Sequence, residues 1–435
     1  MDDSVVRQTI VSSRTSLTLP EALQEPTQEK SVLFQVLYCI ANMVVGAAQI
    51  TLESVLLQTQ IGSIVSGNST GIFSILVAAG AVVCLIMHPL VGKLSDRTSS
   101  RLGRRRPWLM IGGVITIISL LLLAFARSIP VLALWWLLLA VGISFVQMSL
   151  TAVIPDQVPL RQRATVSGLG AGIGLMLGGL YGQILVAQMF KTVSSGYISL
   201  AVSCFIMIGL FLLVLPDKQL PREYVQPFRA KEIIATYWLS PKTYPDFGLV
   251  WLARCLIFLT YTTTVNFMIY YLTQAVHYSQ HFPGQTAAQG VPQFFAVMVI
   301  SIVIASLVGG KLSDIMQRRV LFVSLAGVLM MIGMLLYALF PVWAMVLVAT
   351  VFTGLGMGLF LSVDLALASQ VLPKAEERGK DISIINTAIF VPLILSPVIA
   401  GIILNTLQSF PVLFVLMAIC ALLSAVLITR VKSVR

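Results

Sequence analysis

The amino-acid sequence predicts an all-α integral membrane protein with twelve transmembrane helices arranged as two pseudo-symmetric six-helix bundles. Three observations predict it. The first is composition: of 435 residues, 57% are hydrophobic and only 10% charged, with a mean hydropathy of +0.94, whereas soluble domains carry roughly a quarter of their residues as charges. The second is where the basic residues fall. The third is a repeat, because Gly-Lys-Leu-Ser-Asp occurs at 92–96 and again at 310–314.

An apolar run of about 20 residues crosses a bilayer as a helix. Such runs lie at 32–56, 70–92, 107–126, 131–154, 164–188 and 196–215, then at 248–272, 290–310, 319–340, 343–370, 382–404 and 411–429. Residues 1–31 are polar, with no apolar region behind a basic start, which predicts a short cytoplasmic tail and no cleaved signal. The longest internal loop, 216–247, is rich in Pro and carries Lys218, Arg222, Arg229, Lys231 and Lys242. It reads as a cytoplasmic linker between a bundle at 32–215 and a bundle at 248–429, with 430–435 as a second cytoplasmic tail.

The net charge of +11 invites a nucleic-acid reading, so the positions of the charges decide. With both termini inside, all but three of the 28 lysines and arginines fall in cytoplasmic tails and loops. Arg127 and Lys191 fall outside, and Arg254 lies within a span. This is the positive-inside rule, so topology accounts for the charge and no nucleic-acid partner is required. Removing one span would scatter the basic loops across both faces.

All five cysteines lie in predicted spans without a CxxC pair, and none of the three histidines has metal-ligand spacing. His277 and His281 fall in the outer loop between the seventh and eighth helices. No metal and no cofactor is expected. An enzyme is also disfavoured, since no HExxH, paired aspartates, GxSxG elbow or nucleotide-binding loop is present.

The two GKLSD copies fall in corresponding places, between the second and third helix of each half. A weaker echo follows, Gln157-Val158-Pro159 after the fourth helix and Gln370-Val371-Leu372-Pro373 after the tenth. Match, position and topology together indicate a parallel duplication.

The stretch VGKLSDRTSSRLGRRRPW resembles the Gly-x-Leu-x-Asp-Arg signature, with its basic cluster, of the major facilitator superfamily. Its longer form, Asp96-Arg97 followed by Ser100 to Trp108, is similar to the sucrose and glycoside-pentoside-hexuronide cation symporter branches. So are Ile154-Pro155-Asp156-Gln157-Val158-Pro159 and Glu377-Arg378-Gly379-Lys380-Asp381. The resemblance covers the whole chain in topology, but only the loops after helices 2, 4, 8 and 10 in motif. The second copy departs from it, with Asp314 followed by Ile315-Met316-Gln317-Arg318-Arg319.

The resemblance implies alternating access around a cavity lined by helices 1, 4, 7 and 10. It also implies a cytoplasmic latch at Gly92, Asp96, Arg97, Arg101, Arg104, Arg105, Arg106 and Asp156, with Gly310, Asp314 and Arg318 as a reduced counterpart. Physically, Gly92 and Gly310 permit close helix approach, while Asp96 and the arginines can pair with each other or with helix ends. The alternative is a basic turn that only fixes topology. Asp96 and Asp314 are superfluous to topology, which favours the latch.

Charges within spans discriminate further, because each costs about 2.5–3.5 kcal/mol at a helix centre on insertion scales. Glu53, Arg254 and Asp364 qualify, on helices 1, 7 and 10. Glu53 is a candidate proton site, although it is predicted near the outer end, where it can also reach solvent. Arg254 and Asp364 lie at similar depths and can form an ion pair whose loosening would couple an ion to conformation, with snorkelling as the rival for Arg254.

Helix 1 carries Gln35, Tyr38, Asn42, Gln49 and Glu53 in a narrow stripe, facing either the cavity or polar partners on other helices. Helix 4 shows Trp136, Ser144, Gln147 and Thr151 on one side, and helix 7 shows Trp251, Tyr261 and Asn266. Asn42, Gln49, Gln147, Thr151, Tyr261 and Asn266 are the cavity candidates, because amides and hydroxyls bond sugar oxygens and aromatic faces cover C–H surfaces. Trp108, Trp135, Trp136 and Trp343 lie near span ends and read as interfacial anchors. Gly170, Gly174, Gly178 and Gly182 on helix 5 predict a groove for another helix.

The expected function is secondary active transport of a sugar or glycoside, with the proton as coupling ion. Sodium-coupled relatives resemble clusters of acidic residues on the first helices, where this chain has only Glu53. Alternatives are an exporter of amphipathic compounds or metabolites, and a non-transporting membrane chaperone or sensor on the same scaffold. Drug–proton antiporters resemble a Gly-Pro motif in helix 5, and this chain has no proline between Pro159 and Pro216. The expected setting is the plasma (inner) membrane, with lipid, a small-molecule substrate and a proton as partners, and a monomer suffices.

Overall fold

A computed structural model describes residues 26–65, 67–186, 192–224, 245–316, 318–371 and 378–431. Among the described residues are twelve helices long and apolar enough to cross a membrane. They are α1 (Val32–Ile64), α2 (Ser69–Asp96), α3 (Arg106–Leu123), α4 (Ile129–Gln157), α5 (Arg161–Ile184) and α6 (Val193–Val214). The second half supplies α7 (Pro245–Gln274), α8 (Ala287–Met316), α9 (Arg319–Leu339), α10 (Trp343–Val371), α11 (Arg378–Thr406) and α12 (Phe410–Ile428). The chain is a multi-pass integral membrane protein.

Local sequence sets the helix starts. Asn68 caps α2 by accepting the Gly71 amide at 2.9 Å, and Thr192 caps α6 by accepting that of Ser195 at 3.2 Å. Each satisfies one of the amides left unpaired at a helix N-terminus. Where an apolar face meets lipid it stays exposed, as with Ile75, Phe205, Leu213, Ile300 and Leu339.

The first helix corrects an expectation. It runs on to Ile64, because the polar residues after 56 are not an outer loop. Gln58 donates to the carbonyls of Glu53 and Asn266, and Gln60 to those of Leu123 and Ala126. Their NH2 groups are therefore satisfied inside the protein, although neither Oε1 has a partner among the described residues. Glu53 accordingly lies about 17 Å from the end of α1 at 1.5 Å per residue, well short of its outer tip.

The four-residue glycine spacing on α5 is filled by α1. A Cβ on Gly178 would collide with the Met43 backbone, and one on Gly46 of α1 with the Leu175 carbonyl. Both backbones need the absence of a side chain there. Gly92 and Gly310 do not behave this way. A Cβ on Gly92 would meet only the Met148 methyl at 3.4 Å, and one on Gly310 the Ser362 Cβ at 3.9 Å. The close-approach reason for these two motif glycines is thus overturned in this arrangement, and Gly309 is the crowded position instead, against Leu359.

The halves meet along α2–α11 and α5–α8. On the face opposite the GKLSD turns they are sealed. The Phe73 ring packs edge-on against Phe267 and Tyr270 at 5.6 and 5.8 Å, and Gln58 bonds Asn266 across the halves at 2.5 Å. Below this seal, toward the face carrying the basic loops, the halves diverge around a cavity.

Candidate functional site

The cavity has a volume of about 990 Å³ and is lined by α1, α2, α4, α5, α7, α8, α10 and α11. It runs from Glu53, Trp136 and Asn266 at the seal to Pro89, Thr151 and Thr165 near the basic face. Gln49, Glu53, Gln147, Thr151, Tyr261 and Asn266 all line it, whereas Asn42 does not. Asn42 is buried beside Gly170 and Gly174 of α5 and donates to the Tyr38 carbonyl at 2.9 Å.

The polar stripe of α1 therefore splits. Gln35 bonds the Lys30 carbonyl and Tyr38 donates to the Leu150 carbonyl at 3.1 Å, so its lower part binds protein. Gln49 and Glu53 face the cavity. Beyond the division the helix changes, because Leu52–Leu56, which carries Glu53, is a π-helical turn in which the Leu57 amide reaches back to the Leu52 carbonyl. A single π turn inside an α-helix frequently marks a functional site. The Glu53 carboxylate faces the side-chain amides of Asn266 and Gln49, and the Asn266 Nδ2 has no aligned acceptor among the described residues.

Opposite, His88 of α2 joins the lining. Its Nδ1 donates to the Cys84 carbonyl at 2.6 Å, its Nε2 lies 3.0 Å from the Gln147 side-chain amide, and its ring is 4.9 Å from that of Phe390. Sequence reading tested the histidines for metal spacing and so passed over it. The available signal was a lone histidine inside an apolar span. Trp136 is a second correction: it is 3% exposed, donates to the Leu76 carbonyl at 2.7 Å, and lines the cavity. It is no interfacial anchor, because Gly80 leaves room for its indole against α2. Ser144 is buried and turned back onto the Ala140 carbonyl.

Behind the cavity wall, Arg254 of α7 and Asp364 of α10 lie 2.6 Å apart with side chains 4% and 5% exposed. The guanidinium also sits 5.6 Å from the Phe258 ring centroid, and Phe258 lines the cavity. Neither Nε nor Nη1 of Arg254 has an aligned hydrogen-bond acceptor among the described residues, so the contact is Coulombic rather than a bidentate fork.

At the basic face the first GKLSD turn forms a knot. Arg105 is 5% exposed, with Nη2 at 2.5 Å from Asp96 Oδ1, Nε at 2.7 Å from Asp156 Oδ2 and Nη1 on the Ser95 hydroxyl. Arg104 joins Asp96 at 3.2 Å. Burial opposes the Arg105 charge, yet the Asp156 and Asp96 carboxylates outweigh it and hold its pKa above the ordinary value. Arg97 bonds the Lys93 carbonyl, Arg106 bonds the Leu212 carbonyl, and Arg101 is exposed.

A residue that sequence reading missed completes the knot. Asp217, just after α6, accepts the backbone amides of Arg105 and Arg106 at 2.6 and 2.7 Å. It caps α3 from outside the helix, with its negative charge at the positive end of the dipole. Gly103, at φ 104°, leaves it space, since a Cβ there would strike its carboxylate. In the second turn Arg318 is exposed, the Asp314 side chain lies outside the described residues, and the buried Ser313 hydroxyl has no partner among them.

Twelve helices in two halves around a cavity, with charges held inside the spans, define a membrane transporter. The profile of the Major Facilitator Superfamily matches residues 34–303 and 250–434, and the chain belongs to that family. It is similar to the General alpha-glucoside permease of Schizosaccharomyces pombe, 28% identical over 137 residues, which are 27% of this chain and 25% of that one. It is also similar to the Sucrose transport protein SUT3 of Oryza sativa subsp. indica, 35% identical over 92 residues, 21% and 18% of the two chains. The aligned segments thus span a quarter or less of these relatives. A crystal structure of the nucleoside transporter NupG superposes with a TM-score of 0.71 over 92% of this chain and 99% of that one, at 12% identity, a likeness of fold.

Proposed function

We propose that this transporter carries a sugar or glycoside together with a proton by alternating access. The observation that carries the reading is the Glu53 carboxyl, which opens on the cavity between amides from both halves, Gln49 of α1 and Asn266 of α7. A carboxyl group there can hold a proton and a substrate hydroxyl at one place. The names of the similar permeases supply the substrate class. The basic face is then cytoplasmic by the positive-inside rule, the cavity faces inward, and the knot around Arg105 is the latch that alternation breaks and remakes. The Arg254–Asp364 pair is the second coupling element, since protonating Asp364 removes the attraction that joins α7 to α10. A monomer in the plasma membrane suffices.

The test uses proteoliposomes. Adding substrate outside should alkalinise the medium, and Glu53→Gln or Asp364→Asn should abolish accumulation against a gradient while Glu53→Gln retains counterflow. Unchanged uphill uptake in both variants would remove these residues from the coupling.

A further inference from the structure

The amide, carboxyl and imidazole groups of the cavity come from one set of helices, and two others line it mainly with apolar side chains. Gln49, Glu53, His88, Gln147, Tyr261 and Asn266 come from α1, α2, α4 and α7. To the same lining α5 contributes Leu169, Ile173 and Leu177, and α8 contributes Val299, Val303 and Leu307, at the three- and four-residue spacing that keeps side chains on one helix face. Four of the hydroxyls that interrupt the lining are turned inward on the protein. Thr151 donates to the Gln147 carbonyl, Thr262 to that of Phe258, Ser306 to that of Gly358 and Ser362 to that of Leu359. Their protons are already used, so they can serve a substrate only as acceptors.

A free oligosaccharide carries hydroxyls on every ring, and each one buried without a partner costs about 1–3 kcal/mol. The α1–α2–α4–α7 side offers partners for one ring. A second ring against α5 and α8 would find mostly methyl groups, with only the Thr165 and Ser306 hydroxyls among them. An apolar substituent there would instead gain roughly 25 cal/mol for each Å² removed from water, and 990 Å³ lies at the upper end of the usual range for ligand pockets, about 300–1,000 Å³.

We infer that the substrate is a glycoside with an apolar aglycone, its sugar ring held at Gln49, Gln147 and Asn266 and its aglycone between the apolar faces of α5 and α8. This rests on the sugar-or-glycoside reading above and narrows it. Free di- and trisaccharides are the poorer ligands.

The test is a binding series on the purified full-length protein with methyl and p-nitrophenyl α-glucosides, the corresponding α-galactosides, sucrose, raffinose and p-nitrophenol. For whichever sugar binds, the p-nitrophenyl glycoside should bind at least about tenfold tighter than the methyl glycoside, since burying an aromatic ring exceeds the roughly 1.4 kcal/mol of a tenfold change. Val303→Thr or Ile173→Thr should shrink that ratio about threefold, whereas Asn266→Ala should weaken both glycosides alike and leave the ratio as it is. The ratio in the unaltered protein decides the matter if a variant does not fold. Sucrose or raffinose binding as tightly as the aryl glycoside overturns this inference and leaves the sugar reading standing. Binding of p-nitrophenol as tight as the glycosides, or no binding of any sugar compound, overturns both.

Discussion

The two GKLSD turns share five residues and little else. In the first, Ser95 donates to the Gly92 carbonyl and accepts from Arg105, which also grips Asp96 and Asp156, while Asp217 caps the next helix. In the second, Ser313 is buried without a partner among the described residues and Arg318 is exposed. The difference lies in the flanks: the chain from Asp96 to Arg106 makes a loop able to bring an arginine back to the turn, whereas Asp314 to Arg319 is shorter. A repeated motif thus reports common origin, and its neighbours determine which bonds it makes. The interiors differ in the same sense. The first half presents Glu53 and His88 to the cavity, and the second closes its two charges on each other behind Phe258.

The largest expected effect belongs to that closed pair. Asp364→Asn should lower stability by about 3–5 kcal/mol, the range for breaking a buried pair and stranding its partner. The double change Arg254→Leu with Asp364→Leu should recover most of that in a thermal melt while transport stays lost. A double variant no more stable than the single one would mean that packing, not charge, holds α7 to α10.

A smaller contrast separates the arginines. Arg105→Ala should cost about 2 kcal/mol, discounted because Asp96 is half exposed, and Arg105→Lys should recover only part, since lysine lacks the planar fork that spans two carboxylates. Arg318→Ala should fall within about 0.5 kcal/mol of the parent, as exposed substitutions do. Equal losses at the two sites would erase the asymmetry between the turns.

The smallest effect is the most direct comparison. Ser95→Ala removes two hydrogen bonds and should cost about 1 kcal/mol. Ser313→Ala removes a buried hydroxyl that bonds nothing described and should be neutral or slightly stabilising. Melting curves of the two variants measured side by side decide it, and a loss at Ser313 equal to that at Ser95 would reveal a partner there.

The fold was legible because hydropathy and charge placement act residue by residue, and the twelve runs need no tertiary knowledge. Glu53, Arg254 and Asp364 stood out for the same reason, since a charge in a span is costly wherever it points. What escaped depends on neighbours distant in sequence. Asp217 looks like any linker acid until α3 ends beside it, and Trp136 looks like an interfacial anchor until Gly80 admits it against α2. The end of α1 is not legible in composition because Gln58 and Gln60 are polar, yet their NH2 groups are taken up by carbonyls of other helices. The π turn leaves no periodic trace at all.

That turn has an evolutionary reading. Between Leu52 and Leu57 the backbone accommodates one residue more than a regular turn holds, so the same helix with one residue deleted there could run straight. The extra residue is taken up within this one turn, so its loss would leave the helix faces before and after it as they stand and remove only the local widening. Loss of a single codon at this point would therefore alter the bulge that carries Glu53 without disturbing the packing of α1 on either side.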